Sequence, residues 1–207
     1  MKVYCAGPLF TPYEREYMSE CGQALREGGI DPFVPHESFT LDLPPDTPRL
    51  LMERGLMSEK DLTQQPLADL VRDLLRKNVI TREDLGLPSG PSAKRVFDKD
   101  FGAIAESNAM LAVINGTEVD DGTACEIGIF YALMQTDPTK KGIVAVHDDW
   151  RTLDSPGEGK GLNAFVLGCL LKGGIVHREL KDAVKQINTW RAELQSEGLL
   201  QMEKTTL

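Results

Sequence analysis

The sequence is poor in the residues of metal and redox chemistry. Its four cysteines, Cys5, Cys21, Cys125 and Cys169, form no CxxC pair, and its three histidines, His36, His147 and His177, stand singly. Neither a metal site nor a disulfide framework is expected from such spacing. Four reduced, mostly buried thiols suit a cytoplasmic protein. No apolar run approaches the roughly 20 residues of a membrane span. Met1-Lys2-Val3-Tyr4-Cys5 enters a strand pattern at once, without the layout of a signal peptide. Clustered basic residues are missing too: with 23 Lys and Arg against 32 Asp and Glu, the formal charge is −9. That balance excludes a nucleic-acid polymer as partner, because polyanions are bound by basic patches. No GxGxxG follows the first strand pattern, so a dinucleotide dehydrogenase is set aside. No cofactor is expected.

What is present is an ordinary globular composition, 41% apolar and 27% charged, over 207 residues. This length suits a single domain, 1–207, with a sizeable core. Five short apolar runs read as strands: Lys2 to Ala6, Asp31 to Pro35, Met110 to Ile114, Gly142 to Val146 and Gly174 to Val176. The third is apolar throughout, as a strand covered on both faces must be. Helical patterns lie at Tyr13 to Glu27, stopped by Gly28-Gly29, and near 92–107, 122–135 and 179–197. The alternation predicts an α/β fold with a five-stranded parallel sheet, doubly wound in the flavodoxin-like or Rossmann-like manner. Ligands in such folds gather at the carboxyl ends of the strands.

Residues 38–92 break the alternation. Prolines at 44, 45, 48, 66, 88 and 91 separate apolar helical pieces. Two of these begin alike, Ser58-Glu59-Lys60-Asp61 and Thr81-Arg82-Glu83-Asp84, each a hydroxyl N-cap with an acid three residues on, close to a capping box. This stretch reads as a helical insertion, either a pocket cover or interface element or a structural elaboration without chemistry.

The informative acids come later. Asp100 lies on a mixed helix, and Asp120-Asp121-Gly122-Thr123 opens another, with Glu126 in its first turns. A carboxylate near a helix N-terminus is expected to be held ionised, as a nucleophile requires. Periodicity and charge alone do not separate this from a plain helix cap followed by a dipole-favoured glutamate.

Resemblance to a known family separates them. Tyr4-Cys5-Ala6-Gly7-Pro8-Leu9-Phe10, Asp100-x-x-x-Ile104, Asp120-x-Gly122-Thr123-Ala124-x-Glu126-Ile127-Gly128 and Gly161-Leu162-Asn163-Ala164-Phe165 occur in an order that resembles the nucleoside 2-deoxyribosyltransferase family. The insertion lies outside the likeness and is longer than the equivalent stretch of typical members. The resemblance implies transfer of the 2-deoxyribosyl group of a 2'-deoxynucleoside to a free nucleobase, in two ping-pong steps through an ester on Glu126, in nucleoside salvage. Asp100 would face the base and assist its protonation, and Asp120 would hold a sugar hydroxyl or assist at the base. Tyr4, Gly7 and Phe10 would line the pocket. Asn163 would reach a neighbouring subunit's site, making the protein a homodimer or higher homo-oligomer with shared active sites. The residues themselves leave simpler roles open: Tyr4 and Phe10 as core aromatics, Gly7 as a strand end, Asn163 as a helix N-cap. Asp148-Asp149-Trp150-Arg151 reads as a loop beyond the fourth strand, outside the site.

Two other readings compete. A relative that hydrolyses the N-glycosidic bond of (deoxy)nucleoside 5'-monophosphates would share the nucleophile, but it needs an anion nest. Gly7-Pro8-Leu9-Phe10-Thr11 offers one hydroxyl and no glycine cluster for that purpose. A non-catalytic nucleotide-binding module would be free to lose Glu126, which this chain keeps.

Overall fold

The computed structural model describes residues 1–38, 43–58, 60–61, 66–87, 93–149 and 162–200. In chain order the elements are β1 (Lys2–Ala6), α1 (Pro12–Glu27), β2 (Asp31–Phe33), α2 (Pro35–Ser38), α3 (Thr47–Glu53), α4 (Leu67–Arg76), α5 (Ala93–Glu106), β3 (Ala109–Val113), α6 (Asp121–Met134), β4 (Gly142–Val146), α7 (Ala164–Gly173), β5 (Gly174–His177) and α8 (Leu180–Ser196). The chain divides into two compact units, one of Met1–Ser38 with Asp98–Leu207, the other of Phe39–Phe97.

The first unit is built on a parallel five-stranded sheet in the order β2-β1-β3-β4-β5. This is the doubly wound, flavodoxin-like order, whose switch point lies between β1 and β3. Alternate strand residues point to opposite faces. Val3, Cys5, Leu111, Val113, Val144 and Val146 meet Met18, Cys21 and Leu25 of α1 and Ala183 and Ile187 of α8. Tyr4, Ala6, Met110, Ala112, Ile143 and Ala145 meet Ile104 of α5, Ile127 and Phe130 of α6, and Val166 and Leu170 of α7. Both faces being covered, β3 and β4 are buried along their whole length. Each fully buried Val, Leu or Ile there contributes roughly 1.5–3 kcal/mol.

Caps set where the helices begin. Thr11 and Glu14 form a reciprocal capping box at the start of α1, with Pro12 in the first turn. One strand boundary differs from the sequence reading. β2 stops at Phe33, because Pro35 opens the short helix α2. Residues 164–173 form α7, which runs straight into β5 without a loop. Gly174 makes that junction possible: a Cβ there would lie 1.8 Å from the Ile143 carbonyl oxygen.

The second unit has its own small core of Leu51, Met57, Val71, Ile80, Leu85 and Leu87. Its two repeated turns are closed as their sequences suggest. The backbone N–H and hydroxyl of Ser58 donate to Asp61 at 2.6 and 2.8 Å, and those of Thr81 to Asp84, both at 2.7 Å. Arg54 pairs with Asp84 at 2.9 Å. Among the described residues no helix is long and apolar enough to cross a membrane.

Candidate active site

The first unit brings Tyr4, Asp100, Asp120 and Glu126 together beside the switch point. Tyr4 lies on β1 with its side chain fully buried on the α5–α6 face. Its hydroxyl donates to Glu126 Oε1 at 2.5 Å. Glu126 reaches it from the second turn of α6, the helix that follows β3. Asp120 is the N-cap of that helix, its Oδ2 accepting from the backbone N–H of Thr123 at 2.9 Å and from the Thr123 hydroxyl at 3.0 Å. Asp100 approaches from α5. It is half-buried, and its Oδ1 is shielded from solvent with no hydrogen-bond partner among the described residues.

Burial governs the charge of this cluster. Desolvation pushes Glu126 up to about 7, and the carboxylates of Asp100 and Asp120 push it the same way; among the described residues, the Tyr4 hydroxyl alone favours the ionised form. The expectation that the helix N-terminus holds Glu126 ionised is therefore corrected. Glu126 is the sixth residue of α6, beyond the first turn in which the dipole acts strongly. Burial also raises Asp100, with Lys99 opposing it in part. The Tyr4 phenol is held firmly protonated by burial and by Glu126, so it serves as a donor. The result is a carboxyl group poised between its two states near neutrality, beside a second acid whose pKa burial shifts upward. That pairing can combine a nucleophile with a proton donor. Among the described residues, the groups that set the charge of Glu126 are a phenol and two carboxyls.

The other expected residues stand differently. Gly7 follows β1, and a Cβ on it would lie 2.4 Å from Met18 Sδ and 3.2 Å from Val113 Cβ, so its bareness lets α1 close on the strand end. Phe10 is 78% exposed in the loop before α1. Asn163 is exposed and caps α7, its Oδ1 accepting from the Phe165 N–H at 2.9 Å. Neither Phe10 nor Asn163 has a described contact with the four-residue cluster. At the carboxyl ends of β3 and β4, Asn115 ties the loops together: its Nδ2 donates to Asp148 Oδ1, and its Oδ1 accepts from the N–H groups of Asp148 and Asp149. Tyr17 of α1 donates to the same Asp148 at 3.1 Å. Trp150, Arg151 and Gly161 lie outside the described residues. Among the described residues no cluster of His, Cys, Asp and Glu could hold a metal ion.

One residue of the site region escaped the sequence reading. Phe33 stacks on Tyr4, ring centroids 5.6 Å apart and planes 15° from parallel. The order β2-β1-β3 is the signal that could have found it, since Phe33 is the register partner of Tyr4.

The chain is similar to known proteins. The family model for nucleoside 2-deoxyribosyltransferase matches residues 3–165, which include all four clustered residues. No curated protein matches the chain. A conserved protein from Enterococcus faecalis V583 has a similar solved structure, at 18% identity and a TM-score of 0.60, over 91% of this chain and 98% of that one. It supports the fold. A 2-deoxyribosyltransferase from the psychrotolerant bacterium Bacillus psychrosaccharolyticus aligns over 89% of this chain and 90% of its own, at 17% identity and a TM-score of 0.48, too loose a likeness to carry weight.

Proposed function

The chain belongs to the nucleoside 2-deoxyribosyltransferase family, and from that premise we propose that it transfers the 2-deoxyribosyl group of a 2'-deoxynucleoside to a second nucleobase through a covalent ester on Glu126. The observation that carries the reading is the half-buried Glu126 carboxyl, held by Tyr4 and flanked by Asp100 and Asp120. In the first step a Glu126 oxygen bonds to C1' as the C1'–N bond breaks, the electron pair leaving with the base. Asp100 gives that base its proton. In the second step a nitrogen of the incoming base attacks C1', the ester bond breaks back to the Glu126 carboxylate, and Asp100 recovers a proton from the new base. Developing positive charge at C1' favours the ionised glutamate where substrate is bound. Asp120 completes the site at a sugar hydroxyl or at the base. Tyr4, Gly7 and Phe10 form its wall, and the reaction serves nucleoside salvage.

Two further parts belong to the proposal. Asn163 serves the site of a neighbouring subunit in a homodimer or larger assembly. Exposed apolar residues on the same helix support this, Phe165 at 81% and Leu171 at 71%. Residues 38–92 are an elaboration of a single deoxyribosyltransferase domain. Substrates without phosphate are favoured over 5'-monophosphates, since the described groups around Glu126 are acids and a phenol.

The test is product chromatography after incubation with thymidine or 2'-deoxyinosine plus adenine. 2'-Deoxyadenosine is expected from the wild type, and Glu126→Ala is expected to form it at least about a thousandfold more slowly while staying folded. Free base and deoxyribose without exchange would move the reading to a hydrolase. An active Glu126→Ala enzyme would remove the ester from the mechanism.

A further inference from the structure

The hydroxyl that holds Glu126 is itself held. Tyr4 is on a central strand, and its ring has freedom to tilt only where its neighbours leave room. One flat face is covered by Phe33 of β2, nearly parallel and at stacking distance. The two residues are register partners on adjacent parallel strands, so their side chains leave the sheet on the same face. β2 is a three-residue edge strand containing Pro32, and Phe33 contributes its ring to the α5–α6 core. The ring is half-buried. It lines a shallow crevice, shared with Lys2, Pro32, Ala103 and Ser107.

We propose that Phe33 is a positioning residue for the nucleophile: its stacked ring fixes the Tyr4 hydroxyl on the carboxyl of Glu126. The kinetic consequence rests on the transferase reading, but the structural one does not. Among the described residues, three elements face Glu126 with titratable groups: β1 with Tyr4, α5 with Asp100, and the N-cap of α6 with Asp120. Of these, Tyr4 is the one that favours ionisation, and it is itself influenced by Asp100, Cys5 and Glu126. If the stack loosens, the hydroxyl leaves its line to Oε1 and Glu126 loses its stabilising donor. Because Phe33 borders an open crevice, shortening it creates no sealed cavity, and the fold tolerates the change.

The experiment follows the ionisation of Glu126 directly, by carboxyl carbon NMR of labelled full-length protein over a pH series. Phe33→Leu is expected to move the Glu126 midpoint upward by about half a pH unit or more, and Phe33→Tyr, which keeps a stacked ring, to restore it. In a Tyr4→Phe background the Phe33→Leu shift is expected to vanish, because no hydroxyl remains to be aimed. Base exchange, where the wild type performs it, should show a lower kcat for Phe33→Leu with KM changed less than twofold. Phe33→Met replaces Phe33→Leu if the latter does not fold. A Glu126 midpoint that stays put in a folded Phe33→Leu or Phe33→Met protein would overturn the proposal. So would an equal shift with and without the Tyr4 hydroxyl, which would mark a general solvent effect. A wild type that exchanges no bases would end the transferase reading and leave the NMR result to decide the role of Phe33.

Discussion

At the scale of the residue, Glu126 shows stability set against chemistry. Its ordinary carboxyl value is 4.5 and its folded value about 7. Between these values the folded chain binds more protons than the unfolded one, so stability falls as pH rises through that window and stays lower above it. The penalty above pH 7 is on the order of 2 kcal/mol, allowing for partial solvent access. Glu126→Gln, which cannot ionise and can still accept from Tyr4, is expected to be more stable than the wild type at pH 8 and close to it at pH 5. Urea denaturation at both pH values measures this. An equal difference at the two would mean that Glu126 is not the group concerned. The identities of Tyr4, Asp100, Asp120 and Glu126 were legible in the sequence only through family likeness. Composition and spacing cannot show that positions 4, 100 and 120–126 meet, since the sheet order brings them together. Nor could the sequence show that burial overrides the helix dipole at Glu126, because burial depends on what α5 and β1 contribute. Phe33 was missed for the same reason: its partner is 29 positions away on a neighbouring strand.

At the scale of the element, α5 carries Asp100, and Lys140 holds its far end. The Lys140 side chain, 3% exposed, donates to the carbonyls of Ala105 at 2.7 Å and Ser107 at 2.9 Å, with Asp137 at 3.6 Å and the Phe130 ring beneath it. It satisfies carbonyls that the end of a helix leaves unpaired. Burial lowers its pKa. Lys140→Met keeps the apolar stem and removes the donors, and is expected to cost about 2 kcal/mol in chemical denaturation. A loss below a few tenths would show that water takes over the cap. The elements found correctly from sequence had clear punctuation: Thr11-Pro12 before α1, Gly28-Gly29 after it, Asp120 before α6. α7 was legible only as the helix that an Asn163 N-cap would open, and it passes into β5 through Gly173-Gly174 with no intervening turn.

At the scale of the whole molecule, the two units differ in what holds them. Among the described residues the first has two buried clusters, one on each face of the sheet, and the second has one smaller cluster. Local opening should therefore be easier in the second. In native-state hydrogen exchange, the amides of Leu51 and Val71 are expected to exchange well before those of Leu111 and Val144, and equal protection would contradict this ordering. The placement of the second unit bears on how the chain finds its fold. It falls within the connection between β2 and β3, residues 34–108, while β3 pairs with β1 in the middle of the sheet. Closing so long a loop, rather than a crossover of about 20 residues, adds only about 1 kcal/mol, because closure entropy grows with the logarithm of length. The chain can therefore gain residues at this point with little loss of stability. The effect falls on time instead: the central pairing of β1 with β3 joins ends far apart in the chain, and contacts of that kind form slowly.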